Sequence, residues 1–111
     1  MQVGQTKQGA VLILTPQGRL DSQTSKSFEE KLLGLVDAGE RAVVLDFAQL
    51  SYISSAGLRV LLMATKKQKT AGGRLAVCAL SDNIREVFEI SGFSAILDIH
   101  ADAAKAVQSL G

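Results

Sequence analysis

Apolar residues in this chain fall into two kinds of run, and their alternation predicts the architecture. Short unbroken runs rich in β-branched residues read as buried strands. Val11-Leu12-Ile13-Leu14-Thr15 is one, closed by Pro16-Gln17-Gly18; Arg41 to Phe47 is a second; Arg74 to Leu80 is a third. Val3 to Lys7 reads as a weaker strand turned back by Gln8-Gly9, and Ile96 to Ile99 as a short edge strand. Between these runs the apolar positions recur with the helical period. Phe28, Leu32, Leu35 and Val36 stand at i, i+4, i+7 and i+8, one face of a first helix that starts at Asp21 or Ser22 and ends at Gly39. Leu58, Leu61, Leu62 and Thr65 mark a second helix face, widened by Val60, Met63 and Ala64 and broken by Gly72-Gly73. Ile84, Val87, Phe88 and Ser91 give a third helix stopped by Gly92, and Ala103, Ala106, Val107 and Leu110 give a last amphipathic one.

Strands that are apolar almost throughout need helices over the sheet they form. The opening hairpin makes that sheet mixed. The expected fold is therefore α/β, with a mixed sheet of four to five strands flanked by about four helices, in one domain over residues 1–111. Sites in open α/β sheets gather where strands end and helices begin. Two such places carry suggestive residues: Arg19-Leu20-Asp21-Ser22, and Ile53-Ser54-Ser55-Ala56-Gly57. If both loops lie at the same sheet end, Asp21 and Ser55 are neighbours.

Charge and composition remove several classes of function. Twelve basic and eleven acidic residues leave a net charge of +1, too little to draw in nucleic acid or an anionic membrane. The aromatics Phe28, Phe47, Tyr52, Phe88 and Phe93 are scattered and form no stacking platform. The lone histidine, His100, has no second ligand at a metal-like spacing and reads as a loop or surface residue. The lone cysteine, Cys78, lies in an apolar run and reads as a small buried hydrophobe. No leader and no membrane-spanning run is seen, so the cytoplasm is the expected compartment. There is no phosphate-binding Gly loop, no nucleophile elbow and no acidic pair for a metal, so the chain is expected to be no enzyme and to need no cofactor or metal.

The serines then become the chemistry of interest. Ser54 and Ser55 open the second helix, where Ser is a favoured cap. The same place suits a phosphate, because free N–H groups and the positive end of the helix dipole face it. Asp21 reads first as the cap of the first helix, and can equally display a charge to a partner. Gly57 is either a close-approach requirement or permissive filler. Lys66, Lys67 and Lys69 read as a solvated, dipole-matched helix end.

Five pieces in order carry a resemblance. They are Gly18-Arg19-Leu20-Asp21, Val43-Val44-Leu45-Asp46-Phe47, Tyr52-Ile53-Ser54-Ser55-Ala56-Gly57-Leu58, Gly72-Gly73-Arg74-Leu75 and Glu89-Ile90-Ser91-Gly92-Phe93. Together the chain resembles the STAS domain family, and within it the stand-alone bacterial anti-sigma factor antagonists. The resemblance implies partner switching. The unmodified protein would bind a serine kinase and anti-sigma factor of the ATP-binding, histidine-kinase-like type. Phosphorylation would release it, and a PP2C-type phosphatase would restore binding. Carried onto this chain, the phosphorylated residue is Ser55, with Ser54 as the alternative. The partner surface comprises Asp21, Ser22, Ser54, Ser55, Ala56, Gly57, Leu58 and Arg59. Two positions depart from the family pattern: Ser54 stands where Asp is usual, and Arg59 where Gly is common. The first departure supports an alternative, a constitutive STAS adaptor subunit of a transporter or lipid-transport ABC complex that is not phosphorylated.

Overall fold

Side chains alternate across a strand, so a wholly apolar strand must be covered on both faces. The computed structural model, which describes residues 1–110, shows this cover. The order is β1 (Val3–Gln8), β2 (Val11–Pro16), β3 (Gly18–Leu20), α1 (Ser25–Asp37), β4 (Ala42–Asp46), β5 (Leu50–Ile53), α2 (Ser55–Thr70), β6 (Arg74–Cys78), α3 (Asp82–Ser91), β7 (Asp98–His100) and α4 (Ala103–Leu110). Five strands form one sheet in the order β1-β2-β4-β6-β7. β1 runs antiparallel to β2, and the remaining pairs are parallel. The expected mixed sheet with four flanking helices is present.

One face carries Leu12, Leu14, Val43, Leu45, Leu75 and Val77, packed beneath Phe28 and Leu32 of α1, Leu61 and Ala64 of α2, and Ile84 and Phe88 of α3. Burial of each large apolar side chain stabilises by about 1.5–3 kcal/mol, so this layer supplies most of the driving force. The other face carries Val11, Ile13, Val44, Ala76 and Cys78, and α4 covers it through Ala103, Ala106, Val107 and Leu110. Cys78 is fully buried there. Burial, reinforced by the charges of Asp46 and Asp102, pushes its thiol up to about 12, so it behaves as the apolar filler its sequence context suggested.

Four local expectations need correction. Gly18–Leu20 and Leu50–Ile53, to which the sequence pattern assigns no strand, are strands: they pair in parallel as a second, two-stranded sheet. The first helix begins at Ser25, because Asp21 organises a separate turn ahead of it. The third long strand stops at Cys78, since Ala79 adopts a left-handed φ of 58° that no strand continues. The last strand is Asp98–His100 rather than Ile96–Ile99, because residues Phe93–Ala95 form a 3₁₀ turn whose Phe93 carbonyl accepts from the amides of Ile96 and Leu97. His100 is thus a strand residue, partly buried, with Nε2 3.0 Å from Asp98 Oδ1.

α2 is held at both ends by close backbone approach. At its start, a Cβ on Gly57 would come within 2.8 Å of Ile53 Cγ1 and 2.9 Å of the Leu20 carbonyl oxygen. Just past its end, a Cβ on Gly73 would lie 2.6 Å from the Arg41 carbonyl oxygen. Gln68, in the last turns, is fully buried and donates from Nε2 to the carbonyls of Glu40 at 2.9 Å and Arg74 at 3.3 Å. It thereby joins the starts of β4 and β6 beneath the helix.

Candidate partner-binding site

The small second sheet brings the two suggestive loops together. In it Leu20 is in register with Ile53, and the Ser54 amide donates to the Leu20 carbonyl at 2.9 Å. Because the strands are parallel, both chains leave at the same end, one into Asp21 and the other into Ser54 and Ser55. The neighbourhood expected of the two loops is therefore built by this pair of short strands, not by the main sheet. Leu20 and Ile53 point into the core. Their neighbours Arg19 and Tyr52 face outward, and the Arg19 guanidinium lies 4.1 Å from the centre of the Tyr52 ring.

Asp21 is fixed from several sides. Its Oδ1 accepts from the amides of Gln23 at 3.0 Å and Thr24 at 3.2 Å. The Thr24 hydroxyl accepts from the Asp21 amide and donates to the Arg19 carbonyl. Arg19 Nε stands 3.6 Å from Asp21 Oδ2. The Gln23 amide foremost, then the Thr24 bonds and the Arg19 charge, hold the carboxyl below its ordinary value against a partial desolvation that opposes them. Asp21 therefore caps its own turn, and its second oxygen faces Arg19 at the surface.

A depressed folded-state pKa contributes stability that is complete above the unfolded carboxylate value of about 3.9 and is lost as pH falls through the folded value. The Gln23 and Thr24 amide resonances are expected to hold still from neutral pH down to about that value, then shift together below it. An NMR pH titration checks this, and Asp21→Asn should remove the acid transition from both amides.

The two serines do different things. Ser54 is the N-cap of α2, with extended backbone, and its hydroxyl accepts from the Gly57 amide at 3.3 Å. Ser55 is the first helical residue, exposed, and its hydroxyl has no partner among the described residues. Of the remaining residues expected at this surface, Ser22 and Arg59 are exposed and Ala56 is half-buried. Gly57 and Leu58 are buried and set the loop's shape from beneath. The Arg19–Tyr52 stack joins them at this surface. Its partners are far apart in sequence, so no local pattern pointed to the pairing.

No catalytic constellation assembles around Ser55. His100 is in register with Cys78 on the sheet face that α4 covers, whereas α2 packs on the opposite face. Among the described residues no cluster of His, Cys, Asp or Glu is arranged to hold a metal ion. Among the described residues no helix is long and apolar enough to cross a membrane. An open groove of about 240 Å³ lies at the other end of α2, lined by Thr65, Lys69, Arg74 and Ile96 among others.

The pattern of the STAS domain matches residues 3–106. The chain belongs to the STAS domain family. This STAS domain falls among the anti-sigma factor antagonists. BtrV of Bordetella bronchiseptica, named as a candidate anti-sigma factor antagonist, is 44% identical over 99 residues, spanning 89% of this chain and 85% of that one. The anti-sigma-B factor antagonist of Bacillus subtilis is 32% identical over 91 residues, spanning 82% and 83%. Among solved structures, the Bacillus cell fate determinant SpoIIAA in its phosphorylated form matches with a TM-score of 0.76 at 19% identity, over 99% of this chain and 100% of that one. That last likeness is one of fold.

Proposed function

We propose that this STAS domain is the switchable partner of a cytoplasmic serine kinase that doubles as an anti-sigma factor, and that Ser55 is the switch. The observation that carries the reading is the division of labour between the serines. Ser54 is committed to capping α2, while the Ser55 hydroxyl is exposed and unbonded beside the Asp21 turn. In support, the relatives are named anti-sigma factor antagonists, and a chain of this fold is known in a phosphorylated form.

In the transfer, the Ser55 oxygen forms a bond to the γ-phosphorus of ATP as the bond to the β-phosphate oxygen breaks. ADP leaves, and the hydroxyl proton passes to a base on the kinase. The product adds about −1.5 to −2 charges at a helix start. The dipole and free amides there tolerate that charge, so the fold persists. An interface closed over the same atoms would have to desolvate the added anion, and the complex would separate. A PP2C-type phosphatase would hydrolyse the ester and restore the first state. The surface offered to the kinase is the outward side of Asp21, Ser22, Ser54, Ser55, Ala56 and Arg59, with Arg19 and Tyr52 beside it and Gly57 and Leu58 beneath.

The test is affinity of the Ser55→Asp and Ser55→Ala chains for the cognate kinase. The Ala form should bind as the unmodified chain does, and the Asp form at least about tenfold more weakly. Equal binding of the two would refute the switch. If instead Ser55 never acquires phosphate with kinase and ATP present, and the chain co-purifies with an ABC-type ATPase, the constitutive adaptor is the correct reading.

A further inference from the structure

We propose that Arg59 is an internal counter-ion for a phosphate on Ser55, closing an i, i+4 latch on the outer side of α2. The inference rests on Ser55 being the modified residue. Both residues are exposed, and Ser55 is the first residue of the helix with Arg59 one turn further on. Residues at this spacing share a face, with Cβ atoms about 5–6 Å apart. Each Cα–Cβ bond of a helix tilts toward its N-terminus, a direction from which a long side chain at Arg59 can reach back to the turn that holds Ser55.

Arg59 is uncommitted. The ion pairs among the described residues are Lys7–Glu40, Arg19–Asp21, Lys67–Asp37 and Arg74–Asp98, and none includes it. α2 contains no acidic residue that could hold it. The other cation of this surface, Arg19, is already engaged by Asp21 and the Tyr52 ring. An anion placed four residues ahead of a cation is the favourable order on a helix. The guanidinium fork also matches phosphate oxygens two at a time, as an ammonium does not.

The consequence is a switch with two terms. In the unmodified chain Arg59 stands free to meet a carboxylate on the partner. Phosphate on Ser55 adds negative charge and also withdraws Arg59 from the interface. The phosphorylated chain is then satisfied within itself, which favours the separated state.

The experiment installs phosphoserine at position 55 by encoded incorporation, so no kinase is needed, and follows the phosphate by ³¹P NMR through its second ionisation. With Arg59 present, the acid dissociation constant should be about 1.4- to 2.3-fold larger than in Arg59→Gln, as an i, i+4 ion pair implies. Arg59→Lys should recover part of the difference, and Arg19→Gln should leave the titration unchanged. A titration that Arg59→Gln does not move, or that Arg19→Gln moves instead, overturns the latch. Equal kinase binding by Ser55→Asp and Ser55→Ala would sink the partner switch without altering this titration, so the two failures are distinguishable.

Discussion

Replacing Gly57 by valine is expected to destabilise the chain by about 3 kcal/mol and to pull the two loops apart. The new Cβ would stand 2.8 Å from Ile53 Cγ1, 2.9 Å from Leu20 Cγ and 2.9 Å from the Leu20 carbonyl oxygen. The side-chain atoms could turn aside, but the carbonyl belongs to the backbone of β3 and accepts the Ser54 amide. Moving it opens the bond that closes the second sheet at the end where the two loops leave. Gly57→Ala meets the same contacts with less bulk. It also gains up to about 1 kcal/mol of helix propensity, so its net cost should be smaller. Urea denaturation measures both. Amide shifts of Gln23 and Thr24 should report loss of the Asp21 turn in the valine chain. Unchanged stability for Gly57→Val would mean that the glycine is permissive filler.

At the far end of the same helix, Gln68→Met should cost about 2 kcal/mol. The substitution conserves shape but removes the Nε2 donor that serves the Glu40 and Arg74 carbonyls. Glu40 keeps a second donor in Arg41 Nη1, at 3.1 Å, whereas the Arg74 carbonyl loses a half-buried bond from the helix. Part of the loss is returned, because Gln68 Oε1 is buried without a partner and methionine removes that desolvated atom. The midpoint of chemical denaturation should fall with an unchanged slope, since the surface exposed on unfolding is nearly the same. Gln68→Met as stable as the parent would show that the cross-link carries no net energy.

What could be read from the sequence was what period and run length encode. β2, β4 and β6 announce themselves as unbroken apolar runs, and the four helices by faces that the structure buries, such as Phe28, Leu32 and Val36. The second sheet escaped because β3 has three residues and β5 has four, with Ser51 and Tyr52 exposed side by side. Such segments have no alternation to detect, and their pairing joins residues about thirty positions apart through tertiary structure alone. Asp21 escaped in another way. An aspartate ahead of a helical pattern reads the same whether it caps the helix or a turn before it, and only the Gln23 and Thr24 amides distinguish the two. At Ile96 an apolar residue next to a strand gives the same pattern as a strand residue, and the 3₁₀ turn leaves it 49% exposed.

The candidate site was legible as residues but not as geometry. Asp21 and Ser55 were nameable from their loops. That Ser54 alone would serve as cap, leaving Ser55 free, depended on which hydroxyl faces the Gly57 amide. The Arg19–Tyr52 stack left no local trace at all, since either residue alone is an ordinary exposed side chain.

The double clamp on α2 has one more implication. Close approach ties α2 to its surroundings at both ends, to the Leu20 carbonyl at Gly57 and, just past the helix, to the Arg41 carbonyl at Gly73. Under the proposed switch, a charge added at Ser55 acts where it sits and not through movement of the helix. Under that switch the mark is local, written by phosphoryl transfer from ATP and erased by hydrolysis, like ink on a page that keeps its shape.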